Sequence, residues 1–425
     1  MNRFAVNVAS LARGLLIGLV ILAPLPCLAA VPDTPDRPIE QWLQGAEHHD
    51  FAWKVQILGP WLSFQQRHVA GIRAVLPVHK LMHAGVSLSD LNFVVRVGDG
   101  GGHWLPGQIE SRFDPPRDAE NGKEIDFFAR FYVRPGKYVV AVLAYDGRNR
   151  RRNLWKGGLQ VPPLKPDPLP EASRNLPVLE FPNDANPASS DLGQAKLFLP
   201  VANTRPVQLD VVVNLALSDA TNRRYTQAPD WVYRSNAGVL LQIGKVISQL
   251  DLREGCIRFS ALDILRQKVF VDRVTGANTD WDQLTHSVES IQRNKIDVHV
   301  LEQQKMTPAL FARFLEQVAS DRGTCGVTGR EPLHVLIVIS DAFLFPTKAA
   351  MTVVRPEVAS GTQCYYLQVN PIRGGAWDQI GHVIGPLHPR RWEFSSAERF
   401  RRVVAELVAE IENEPHLAKP GVHLP

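Results

Sequence analysis

Residues 211 to 223 read VVVNLALSDATNR, an apolar run that breaks into oxygen-bearing side chains. Asn214, Ser218, Asp219 and Thr221 stand where a buried strand would end, the edge at which open α/β sheets place their ligand sites. Hard oxygens so grouped suit coordination of a divalent cation. The alternative is that they cap strand ends and satisfy loop backbone, as Asn, Asp, Ser and Thr commonly do. A second strand end of this kind is VLIVISDAF at 335 to 343, where Ser340 and Asp341 follow five apolar residues, and TGANTDWDQL at 275 to 284 adds Thr279.

Hydrolytic motifs are missing: neither G-x-S-x-G nor H-E-x-x-H occurs in the chain. Cys256 opens an apolar strand-like segment and reads as buried rather than nucleophilic. Asp280 and Asp282 are two apart, so they do not share a helix face and instead favour the positive end of the helix dipole. His48, His49 and Asp50 read as solvated loop residues, RNRRR at 148 to 152 as an exposed turn, and GDGGG at 98 to 102 as a hairpin loop lacking the lysine of a phosphate loop. Trp231, Trp281 and Trp377 offer a contact surface near the strand ends or, more plainly, packing.

The elements that would position these groups fall into two patterns. From 50 to 161, WKVQIL, IRAVLPV, LNFVVRVG, EIDFFARFYV and KYVVAVLAYDG are β-branched and aromatic runs with no helical period, as expected of an all-β immunoglobulin-like sandwich. Pro135 and Gly136 predict a tight turn joining the last two. Residues 162 to 206 hold ten prolines and read as an extended connector in which LFLPVA adds an edge strand. Beyond 206, strands alternate with helices: VQLDVVVNLAL, NAGVLLQIGKVISQL, the pair CIRFSALDIL and QKVFVD, DWDQLTHSVESIQ, IDVHVL, PALFARFLEQVAS, LHVLIVIS, CYYLQV, WDQIGHVI and SAERFRRVVAELVAEI. The last helix begins at Ser395 or Ser396, with Glu398 placed for a capping box. Such alternation predicts right-handed crossovers and a doubly wound, mostly parallel α/β sheet.

The N-terminus reads as a secretory signal peptide over 1 to 30: Arg3 and Arg13, the run LLIGLVILAPLPCLAA, then small residues before a cleavage point at Ala29 or Ala30. Pro24 and Pro26 cut that run short of the roughly 20 residues a membrane span needs. Cleavage lowers the formal charge from +4 to +2, too little to imply nucleic acid. The mature chain is expected to be periplasmic or secreted. Of the cysteines left, Cys325 and Cys364 are the expected disulfide, since each precedes a strand placed beside the other.

The C-terminal half resembles a von Willebrand factor A domain in element order, in VLIVISDAF at the fourth strand and in TGANTDWDQL at the G-x-T-N-T-G loop. The chain is also similar to the acidobacterial secreted proteins described as von Willebrand factor A-related. The resemblance implies a sheet of order 3-2-1-4-5-6 and a metal-ion-dependent adhesion site built from D-x-S-x-S, a Thr and an Asp. In one register Asn214, Ala216 and Ser218 fill the first motif; in the other Asp219, Thr221 and Arg223 do. Ala277 stands where the metal-binding Thr falls, and Asp341 matches the family's Asp.

These readings give a signal peptide (1–30), an immunoglobulin-like sandwich (31–161), a proline-rich linker (162–206), a von Willebrand A-like domain (207–413) and a tail (414–425). The expected function is an exported, non-catalytic binding or scaffolding protein without a cofactor, taking a protein partner in the cell envelope or outside the cell through Asn214, Ser218, Asp219, Thr279 and Asp341. One rival is a divergent Mg²⁺ or Mn²⁺ adhesion site on Asp219, Thr221 and Asp341; the other is an exported hydrolase with an unrecognised site.

Overall fold

The computed structural model describes residues 39–115, 123–182, 192–216, 230–290, 306–322, 331–345, 351–370 and 378–413. The signal-peptide stretch, IDVHVL and Cys325 lie outside them. The chain divides into two units, Met1–Gly45 and Ala46–Pro425. The described part of the first is one short helix, α1 (Ile39–Gln44).

The second unit opens with β1 (His48–His49), β2 (Lys54–Leu62), β3 (His68–Pro77), α2 (Val78–His83), β4 (Leu91–Asp99), β5 (Ile109–Arg112), β6 (Glu124–Val133), β7 (Gly136–Asp146), β8 (Arg152–Val161) and β9 (Leu179–Glu180). They form two antiparallel sheets, β1-β8-β7-β4-β5 and β2-β3-β6-β9. Alternate residues of both sheets meet in one core: Ile72, Ala74, Phe127 and Phe131 from one, Phe93, Val95, Val140 and Val142 from the other. Phe93 and Phe127 stack across it at 4.2 Å.

The tight turn at Pro135 and Gly136 does not make a hairpin. β6 pairs with β3 and β9, whereas β7 pairs with β4 and β8, so the turn carries the chain from one sheet to the other. Within one sheet the inward faces of β6 and β7 would lie side by side; crossing sets them opposite one another, where both bury apolar area.

The second half contains β10 (Leu199–Val201), β11 (Val207–Asn214), α3 (Asp230–Ile247), β12 (Leu250–Leu252), β13 (Gly255–Asp263), β14 (Lys268–Thr275), α4 (Trp281–Glu289), α5 (Thr307–Ser320), β15 (Leu333–Asp341), β16 (Thr362–Val369), α6 (Gln379–Val383), β17 (Arg390–Phe394) and α7 (Ala397–Glu412). Six strands make one mixed sheet, β14-β13-β11-β15-β16-β17. All neighbours are parallel except β13 and β14. Counted in chain order this is 3-2-1-4-5-6, with the third strand reversed. Odd residues of β11 pack under α3, α4 and α7, and Val212 packs under α5 and α6. Helices therefore cover both faces, which is why LHVLIVIS shows no polar alternation. β10 does not join this sheet; it pairs with β12 in a small parallel ladder.

Two glycines fix close approaches. A Cβ on Gly244 would stand 2.8 Å from Val213, so its absence lets α3 lie against the sheet, and Gly255, at φ +132°, has the Val207 carbonyl where a Cβ would go. On α7, Ser396 is the N-cap and accepts from the Arg399 amide, which puts Glu398 at the second helical position rather than the third and removes the capping box.

The halves of the second unit are fastened by the β2–β3 turn. Phe64 lies within 6.4 Å of the rings of Phe394 and Phe400. Gln66 donates to the Ala397 carbonyl at 3.1 Å, and from the connector Asp167 pairs with the buried Arg401 at 2.6 Å. The described parts of the proline-rich connector are thus anchored, at Asp167 to α7, at β9 to β6 and at β10 to β12.

Beneath α5, toward the N-terminal ends of the strands, lies a buried ion network. Asp210 accepts from Arg258 Nε and Nη2 at 2.6 and 2.8 Å, stands 2.7 Å from His334 Nε2, and accepts from Gln208 at 3.1 Å. Arg258 also meets Asp321, at the end of α5, at 2.8 Å. Four hydrogen bonds converge on the Asp210 carboxylate, and with the Arg258–Asp321 pair the network ties α5 to three strands.

Candidate functional site

The strand order reverses between β11 and β15, and the C-terminal ends of these strands carry the polar cluster. β11 ends at Asn214, the Leu215 amide still donates to the Leu262 carbonyl of β13 at 2.8 Å, and Asn214 straps the turn that follows: its Oδ1 accepts from the Ala216 amide at 3.1 Å. Its Nδ2 donates to Ser340 Oγ at 2.9 Å, and Ser340 donates on to the Asp341 carbonyl at 2.8 Å. Asn214 and Ser340 therefore spend their polar atoms on each other and on backbone.

Asp341 differs. It is 5% exposed, and its described side-chain partner is Asn370, whose Nδ2 donates at 3.4 Å. Asn370 sits past the end of β16 at φ +48°, a left-handed conformation that Asn tolerates. Burial pushes the Asp341 carboxyl up to about 7, only partly opposed by Asn370.

A second carboxylate lies on the neighbouring Tyr366. Asp378 caps α6 and accepts from the Phe343 and Gly381 amides and the Tyr366 hydroxyl at 3.2, 3.4 and 3.3 Å. Arg391 of β17 approaches it at 3.5 Å and also donates to Gln368. Burial raises the Asp378 pKa against these donors, and burial followed by the Asp378 charge holds the Tyr366 hydroxyl well above its ordinary range. The cluster can accept hydrogen bonds or a proton near neutrality. Among the described residues no three His, Cys, Asp or Glu side chains are grouped to hold a metal ion.

Of the residues singled out from sequence, Asn214 and Asp341 come together here. Ser218, Asp219 and Thr221 lie outside the described residues, as do Trp377 and the Trp231 side chain. Thr279 is a correction: it sits at the opposite edge of the sheet. β14 runs antiparallel, with Lys268 opposite Asp263 and Thr275 opposite Arg258, so the chain has returned to the N-terminal ends before Thr279 donates to the Thr275 carbonyl at 3.4 Å. Asp280 caps α4 as expected of an N-terminal acid, and Trp281 packs on Phe259 at 4.7 Å.

The Cys325–Cys364 pairing is also corrected. Cys364 is a free thiol, and Cys256 is the disulfide-bonded cysteine. Cys364 points into the core shared with Phe311, Leu315 and Tyr366, where burial pushes its pKa up to about 12. Sequence reasoning missed Asn370, Asp378, Tyr366 and Arg391. An Asn just past a strand and an Asp just before a short helix were the available signals.

No family model and no curated protein matches the chain. Among solved structures it is similar to a Bacteroides uniformis β-glucuronidase, at 10% identity and TM-score 0.17 over 86% of this chain and 44% of that one. It is also similar to B. uniformis β-glucuronidase 2 covalently bound to cyclophellitol-6-carboxylate aziridine, at 9% identity and TM-score 0.16 over 79% and 38%. The chain spans less than half the length of either. Likeness at these TM-scores carries no argument. No helix among the described residues is long and apolar enough to cross a membrane.

Proposed function

We propose that this is an exported, non-catalytic binding protein in which an immunoglobulin-like sandwich supports a von Willebrand A-like domain, and that the loops at the C-terminal edge of the mixed sheet take a protein partner. The observation that carries this reading is the strand order 3-2-1-4-5-6 with a reversed third strand. Its switch point lies between β11 and β15, where open α/β sheets bind their ligands.

Metal independence is supported by the hydrogen bonding of Asn214 and Ser340, which among the described residues of these two strand ends leaves Asp341 as the group with oxygen to offer. Mg²⁺ needs several such oxygens in near-ideal geometry. The test is capture of envelope proteins on the immobilised mature chain, with EDTA and with Mg²⁺. Retention of the same partner in both buffers is expected, and retention of nothing would overturn the reading.

The runner-up is a divergent cation site, favoured by the buried Asp341 carboxylate. It requires that Mg²⁺ or Mn²⁺ raise the melting temperature and that Asp341→Ala abolish the rise, because a ligand that binds only the native state must stabilise it.

A further inference from the structure

Along the same edge of the sheet, away from Asp341, a cleft of about 310 Å³ opens between α5 and the β13–β14 hairpin. Its floor includes Leu262, Leu310 and Phe314, and Val269 stands on its wall, 47% exposed. Met306, next to the cleft residue Thr307, is 50% exposed. Large apolar side chains left this open beside a concave apolar floor mark a contact surface more than a folding requirement.

The rim is positively charged. Lys268 and Arg313 both line the cleft and are exposed, and among the described residues neither is paired with a carboxylate. Lys268 instead lies over the Phe270 ring at 4.7 Å. The one acid on the lining, Asp263, is buried and already held by Arg266 at 2.7 Å. Two unneutralised cations flanking an apolar slot are complementary to an apolar group flanked by carboxylates. The slot's limited volume and concavity fit side chains of a peptide rather than a flat lipid surface.

We infer that this cleft is a docking site for a partner segment carrying one or two large apolar side chains between acidic residues. The inference rests on the protein-binding reading above and gives that partner its chemistry. The apolar side chains enter between Phe314 and Val269, and the carboxylates meet Lys268 and Arg313. Arginine and lysine on an exposed rim contribute mainly to encounter and selection, so the interaction weakens with salt.

The test uses the full mature chain and a fluorescent synthetic peptide with a leucine–phenylalanine pair flanked on both sides by glutamates. Two controls replace the glutamates with lysines or the apolar pair with alanines. Fluorescence anisotropy should show the acidic apolar peptide binding and both controls at least about tenfold weaker. The double variant Lys268→Glu, Arg313→Glu, which alters exposed side chains only, should invert the preference so that the lysine-flanked peptide binds it better. Equal binding of all three peptides, no binding of the acidic one, an unchanged preference in the variant, or stronger association with anionic phospholipid vesicles than with the peptide would each overturn the inference. If the wild type retains an envelope partner and the double variant retains it equally, the cleft is excluded while the protein-binding function stands. If the wild type retains none, the function itself falls.

Discussion

Replacing Asp341 with asparagine should make the protein more stable at alkaline pH, a result opposite to the usual outcome for a buried polar group. Burial pushes this carboxyl up to about 7 in the folded chain, from 3.8 for an aspartate in water. Between those values the folded state binds the additional proton, so stability falls as pH rises from about 4 to about 7 and stays low above. A shift of about three units corresponds to about 4 kcal/mol, at about 1.4 kcal/mol per unit. Asparagine keeps the shape and the hydrogen bond with Asn370 but carries no charge. Urea unfolding followed by tryptophan fluorescence in EDTA should therefore place Asp341→Asn about 4 kcal/mol above wild type at pH 8 and level with it at pH 4. A variant equal to or weaker than wild type at pH 8 would refute the reasoning, since it would mean the carboxylate has a compensating partner. If Mg²⁺ or Mn²⁺ then stabilises the wild type at pH 8 and not the variant, that partner is a cation.

The other expectations concern the frame around this site. Asp210→Ala removes the buried one of the two carboxylates that hold the Arg258 guanidinium, leaving Asp321, and should lower stability by about 3 kcal/mol; a loss under about 1 kcal/mol would show the network to be dispensable. Burial works to raise the Asp210 pKa, but hydrogen bonds from His334 and Arg258 outweigh it and the net shift is downward, so this stabilisation is present above the unfolded value and disappears as pH falls through the folded one. Acid titration of unfolding in wild type and Asp210→Ala would reveal a difference in slope below about pH 4. Ser396→Ala should destabilise by about 1 kcal/mol through loss of the α7 cap, read by chemical denaturation. Cys364 should resist alkylation in the native protein and react once unfolded, followed by intact mass.

Much of the fold was written locally. The apolar alternation of 50 to 161 and the strand–helix succession after 206 report each segment's own burial, because the periods of 2 and 3.6 are properties of single elements. That was enough for the end of β15 to point to Asp341, whereas the order of strands in the mixed sheet came from the resemblance to a von Willebrand A domain, and neither β8 nor the sheet's last strand, β17, was read from the sequence. It was not enough for pairings decided across the molecule. Pro135 and Gly136 make a tight turn in either arrangement, and only the demand to face two apolar surfaces at each other sends β6 and β7 into different sheets. Thr279 looked like a loop residue of the ligand-binding edge because its motif is local. The antiparallel run of β14, which moves it to the far edge, is a fact of sheet topology. Cys364 likewise appeared available for a disulfide by its position before a strand, whereas its orientation toward the α5 side of the sheet leaves it a buried thiol. What the sequence alone determined were many of the elements and their succession, though not β8 or β17; that Asn370 reaches Asp341, and that Tyr366, Asp378 and Arg391 join one another near the same strand ends, all from 25 to 50 positions away, was decided by packing between segments that carry no record of one another.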